Sequence, residues 1–142
     1  MATQNNLHRF IDAQSSSYQT ALSEIKNGRK RSHWMWFIFP QIQGLGFSET
    51  ARFYALADAQ EATDYLAHSV LGPRLLEICH ALLGLASGDA HQIFGSPDDL
   101  KLKSSMTLFA SLGPSPVFQQ VLDKFYGGAK DDKTLRILAA QG

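Results

Sequence analysis

"GRKRSHWMWFIFPQIQGLG", Gly28 to Gly46, sets Arg29, Lys30 and Arg31 in front of a six-residue apolar run holding two tryptophans, and the run stops at Pro40. How it is read decides the fold class. The aromatics of "WMWFIF" favour a strand, and Pro40 biases Phe39 away from helical dihedrals. A single strand, however, has no pairing partner in a chain whose other periodic segments are helical. The stretch therefore predicts a short helix from about Ser32 that ends before Pro40, within an irregular aromatic segment near residues 33–47.

On the N-terminal side, Leu7, Phe10, Ile11, Tyr18, Leu22 and Ile25 recur at helical spacing. Asn5 or Asn6 can cap that helix, Gly28 can end it in a left-handed conformation, and Ser15 to Ser17 offer a break into two helices. On the C-terminal side, Ser48 and Asp58 mark helix starts, with Glu61 in capping-box spacing from Asp58. Residues Ser69 to Ala86 carry Leu71, Leu75, Ile78, Cys79 and Leu82 on one stripe, with Pro73 in the first turn, and predict a central core helix. Ser96 and Pro97 open a further helix, with Asp98 and Asp99 at its positive end and Gly113 past its close. Ser115 and Pro116 open another that stops at Gly127 and Gly128, and Asp131 or Asp132 caps a last helix with Leu135, Ile137 and Leu138. The expectation is an all-α, compact single-domain bundle of about six to eight helices, with residues 1–142 forming one domain.

A chain of 142 residues can bury roughly two thirds of its unfolded surface without staples. With 44% apolar residues, 18% charged residues and zero net charge, it fits neither disorder nor bulk attraction to polyanions, which argues against nucleic acid as a partner. Cys79 is the single cysteine, so no internal disulfide forms and a reducing compartment is expected. "MATQNNLHRF" lacks a signal core and no apolar run is long enough to cross a bilayer, so the expected location is cytoplasmic, away from membranes. The five histidines show no zinc-ligand spacing, and no phosphate-loop or dinucleotide fingerprint is present, so neither a metal nor a cofactor is expected. Cys79 lies in an apolar stripe and reads as an inert thiol.

Most of the large aromatics in the opening stretch belong in a core. The core does not account for the cations beside them. Arg31, His33 and one tryptophan suit a pocket mouth, where guanidinium binds phosphate or carboxylate and indole stacks on a planar ring. On a helix His33, Trp36 and Phe37 share one face while Trp34 and Ile38 share another, so only one tryptophan need face a ligand. A second candidate is the polar face of the Pro97 helix, with Lys101, Ser104 and Ser105, opposite Leu102, Met106 and Phe109. Asp98 and Asp99 read as dipole-end residues rather than a catalytic pair.

The segments "FIDAQ", "GRKRSHWMWFIFPQIQGLG", "YLAHSVLGPRL", "IFGSPDDLKLKSSMTLF" and "FYGG", in this order, closely resemble the bacterial domain-of-unknown-function 1810 family over nearly the whole chain, from about Leu7 to Leu138. The resemblance implies a compact, mostly α-helical single domain and supplies no established activity. Members often carry the label calpastatin, a name for long, disordered, repetitive inhibitors that this short, apolar-rich, unrepeated chain does not match. The family's signature segments match His33, Trp34, Trp36, Pro40 and Gln41, and also Asp98, Lys101, Ser104, Ser105 and Thr107.

These readings converge on a pocket formed by the Arg31–Gln41 and Lys101–Thr107 segments, taking a small planar anionic metabolite such as a nucleotide or an ADP-ribose-like ligand. Arg31 and Lys101 would bind the anion, Trp34 or Trp36 would stack, Ser104, Ser105 or Gln41 would read polar groups, and His33 is the candidate general base. No complete catalytic constellation is visible, so enzyme and binder both stay open. The alternative is a non-enzymatic protein-interaction module whose basic segment docks an acidic partner.

Overall fold

The computed structural model of the chain describes residues 6–141. Among them run α1 (His8–Lys26), α2 (Met35–Ile38), α3 (Glu49–Tyr54), α4 (Ala59–Ala67), α5 (Leu71–Leu83), α6 (Ala90–Phe94), α7 (Asp98–Leu112), α8 (Val117–Tyr126) and α9 (Asp132–Gln141). The fold is all-α. Its nine helices exceed the expected six to eight because of α6, whose five residues are too few for periodicity to show and which Asp89 caps by accepting the Gln92 N–H. "WMWFIF" forms α2 with its flanks, and no strand occurs among the described residues; one parallel bridge joins Ile42 to Leu56.

Local signals set several boundaries as expected. Ser48 and Asp58 cap α3 and α4 by accepting the N–H groups of Ala51 and Glu61. Gly28 takes φ +79° after α1, and Gly127 takes φ +62° after α8. Elsewhere the boundaries differ. Helix α1 runs unbroken through the serine triplet, with Ser15 Oγ donating to the Asp12 carbonyl. Leu7, not Asn6, holds its N-cap position, and Asn5 lies outside the described residues. Proline takes the N-cap position of both α7 and α8, so Ser96 and Ser115 each sit one residue before it. Glu61 reaches back past the N-cap to accept the Ala57 N–H (2.8 Å) instead of that of Asp58, while the same carboxylate pairs with Arg9.

That pair is buried. Arg9 donates to Glu61 through both terminal nitrogens (3.3 and 3.2 Å), to the carbonyls of Phe53 (2.7 Å) and Ala55 (2.8 Å), and to that of Asn6, so all five guanidinium N–H groups have acceptors. The core is one contiguous apolar cluster around α7, which touches α4, α6, α8 and α9. A ladder of rings, Phe10–Tyr65–Phe109–Phe118, crosses it with centroids 5.1, 5.6 and 5.6 Å apart. Cys79 is fully buried on α5, and burial pushes its thiol up, away from thiolate chemistry.

Helices α4 and α5 cross on Gly72, where an added Cβ would lie 2.1 Å from the Leu66 carbonyl oxygen. Alanine is favoured over glycine within a helix by up to about 1 kcal/mol. Forcing backbone apart costs about 1–3 kcal/mol or more, so the clash dominates. Gly72→Ala is expected to lower the urea midpoint, whereas a neutral or raised midpoint would show that the crossing is looser than this.

Candidate functional site

The turn after α1 begins the site. Gly28 N–H donates to the Ile25 carbonyl and Arg29 N–H to that of Glu24, a Schellman closure that reverses the chain. The Glu24 carboxylate then accepts from Arg31 N–H (2.7 Å), Ser32 N–H (2.9 Å), Ser32 Oγ (2.6 Å) and the Trp34 indole (2.9 Å). Partial burial alone would raise its pKa, but the bonds from Ser32, Arg31 and Trp34 outweigh that and lower it from 4.5 to about 2. Trp34, 1% exposed, thus has its one polar atom satisfied in the core.

Cations and aromatics meet here by stacking. Lys30 Nζ lies 5.1 Å from the Trp34 ring centroid and 2.9 Å from Asp98 Oδ2. Lys101 Nζ lies 4.9 Å from the Trp36 ring centroid and 3.4 Å from Asp98 Oδ1. One carboxylate at the start of α7 therefore binds two ammonium groups, each resting on a tryptophan, and joins the aromatic stretch to α7.

Beside this junction opens a cleft of about 460 Å³. Gln41, Leu45, Gly46 and Ala51 form one wall, Pro97, Leu100, Lys101, Lys103 and Ser104 of α7 the second, and Lys130 to Lys133 at the start of α9 the third. Its lining carries four lysines against two aspartates. Asp131 is already engaged: its carboxylate accepts the Thr134 N–H (3.0 Å) and hydroxyl (2.6 Å), and its N–H donates to Thr107 Oγ1 (2.9 Å). Ser104 donates its hydroxyl to the Leu100 carbonyl. The charge open to an occupant is predominantly positive.

Of the sequence candidates, Gln41, Lys101 and Ser104 share the cleft. Trp36 lies next to it, in a small recess with Gln41 and Gly46. The others are elsewhere, and the roles given to them need correcting. Trp34 is sealed in the core and cannot stack on a ligand. Ser105 is 0% exposed, because α7 is packed on nearly all sides and its small hydroxyls are not a solvent face; its Oγ has no hydrogen-bond partner among the described residues. Arg31 lines a separate shallow depression with Arg29 and Lys30, and His33 is exposed without reaching the cleft. Lys103, Lys130 and Lys133 were missed. The only sequence signal for the last two is the "KDDK" run, which reads first as a helix cap.

A profile described as protein of unknown function (DUF1810) matches residues 4–138. The chain belongs to the DUF1810 family. This DUF1810 protein is also similar to the crystal structure of the conserved hypothetical protein Rv1873 from Mycobacterium tuberculosis: 45% identity over 96% of this chain and 99% of that one, with a TM-score of 0.94. No curated protein matches it. Among the described residues no helix is long and apolar enough to cross a membrane.

The Glu24 site has a pH signature. The folded protein holds the Glu24 proton more weakly than the unfolded chain does, so this stabilisation is complete above pH 4.5 and is lost as pH falls towards 2. Urea titrations followed by tryptophan fluorescence should show wild-type stability falling over that window more steeply than in Glu24→Gln, which has no proton to take up. Equal slopes would mean that the carboxylate is not held in this way.

Proposed function

We propose that this DUF1810 protein binds a small anionic ligand in the cleft between the Gln41–Ala51 wall, the start of α7 and the start of α9. The observation that carries the reading is the convergence of Lys101, Lys103, Lys130 and Lys133, from two helix starts, on one concavity of about 460 Å³, a size suited to a small molecule. Lys101 is half-buried against Trp36 and held by Asp98, so its ammonium is positioned before an anion arrives. Gln41 supplies a neutral polar group, and Leu45 and Leu100 supply apolar surface.

The anionic half of a nucleotide or ADP-ribose-like ligand is what this lining supports. The planar half has only Trp36, which lies in the adjoining recess with Lys101 near its ring. Binding rather than turnover is favoured, since the Ser104 hydroxyl is committed to a backbone carbonyl and His33 lies outside the cleft. The lone buried Cys79 suits a reducing location such as the cytoplasm.

A thermal-shift panel of phosphate, pyrophosphate, ADP and ADP-ribose, with neutral sugars as controls, tests the proposal. A ligand at about a hundred times its Kd stabilises by about 2.7 kcal/mol, which is several degrees for a domain of this size. Stabilisation by an anion should disappear in Lys101→Ala and weaken in Lys130→Ala/Lys133→Ala, whose side chains are exposed, and should persist in Arg31→Ala. A panel without a hit, or a hit indifferent to these lysines, would refute it.

A further inference from the structure

The cations that open the aromatic stretch point in two directions. Lys30 turns inward: its side chain is 7% exposed, its ammonium meets Asp98, and its N–H donates to the Ile93 carbonyl (2.8 Å). Arg29 and Arg31 on either side of it are exposed, and the N–H groups of residues 29, 30 and 31 go in turn to Glu24, Ile93 and Glu24. Over these three residues that is the alternation of an extended chain, in which residues two apart project to the same side about 6–7 Å from one another, before the chain bends at Ser32 and His33. Arg29 and Arg31 therefore stand side by side, and neither has an ion pair among the described residues.

Their backbone is fixed. The Schellman closure holds Arg29 N–H, Ile93 holds Lys30 N–H, and Glu24 holds the N–H groups of Arg31 and Ser32. A partner thus meets a preformed strip and has little backbone to order. Among the described residues, the depression over the strip is lined by Arg29, Lys30 and Arg31 alone. With three consecutive residues and no opposite wall, it cannot enclose a small molecule, which typically needs about 70–90% of its surface buried. The strip suits an occupant that brings its own surface.

We propose that Arg29 and Arg31 form a docking surface for an extended acidic protein segment with carboxylates two residues apart. Such a segment repeats its side chains at the same spacing as the two arginines, so each guanidinium can take one carboxylate in a bidentate fork. Two outward guanidinium groups on a chain of zero net charge match a short acidic segment better than a nucleic acid, whose affinity grows from many phosphate contacts. This surface is separate from the lysine cleft, and either can fail without the other.

The test is fluorescence anisotropy of the full chain with a labelled peptide that alternates glutamate and serine. Saturable binding should weaken by about tenfold or more in Arg29→Glu/Arg31→Glu and change little in Lys130→Glu/Lys133→Glu, which alters net charge equally. Arg29→Gln/Arg31→Gln, which keeps side-chain length, should also weaken it and covers the case in which charge reversal disturbs folding. The proposal is overturned by absence of saturable binding, by equal losses in the two charge-reversed variants, or by a single-stranded oligonucleotide that binds more tightly than the peptide and depends on the same arginines.

Discussion

The Glu24 carboxylate accepts four hydrogen bonds from residues seven to ten positions further along the chain. Without them, Trp34 would carry an unpaired indole N–H into the core, at a cost of about 1–3 kcal/mol. With them, the segment after α1 is drawn into an extended path that turns Lys30 inward and leaves Arg29 and Arg31 outward. Lys30 meets Asp98, Asp98 also binds Lys101, and Lys101 borders the cleft on the far side of the junction. Core, basic strip and cleft are linked through this short series of charged groups.

A second polar junction sets the opposite wall. Helix α3 buries none of its own residues, so apolar burial contributes little to its position. What fixes it is Arg9, bonded to the carbonyls of Phe53 and Ala55, together with ring contacts from Phe10 and Phe37 to Tyr54. Removing one member of a buried ion pair is strongly destabilising, so the Arg9–Glu61 pair has a structural role that net stability alone does not measure. With none of its own residues buried, α3 belongs to the class of elements from which ligand-responsive segments are drawn.

The sequence carried the helical plan well because capping is local chemistry. Ser48, Asp58, Gly28 and Gly127 act within a few residues and do what their types predict. The serine triplet stays helical, with Ser15 returning its hydroxyl to the Asp12 carbonyl one turn back, and Glu61 departs from the capping box by bonding Ala57 N–H and Arg9 of α1 instead of Asp58 N–H. On α7 the polar face offered Lys101, Ser104 and Ser105 as candidates, whereas helices on several sides bury Ser105 and Thr107, and of its polar residues Lys101, Lys103 and the edge at Ser104 reach the cleft. Part of the candidate site was legible: Gln41, Lys101 and Ser104 do converge. Lys130 and Lys133 were not, since nothing in a helix start reveals which distant helix it faces. Arg31 and Lys30 are neighbours of the same charge whose opposite directions depend on a carboxylate contributed by α1.

Whether the cleft binds an anion is read out by a two-dimensional NMR titration of the full chain with ADP. Saturable shifts are expected at Gly46, Lys101, Ser104, Asp132 and Lys133, a set that is scattered in sequence and joined around this concavity. Shifts confined to Arg29 and Arg31, or absent altogether up to millimolar ADP, would contradict binding in the cleft.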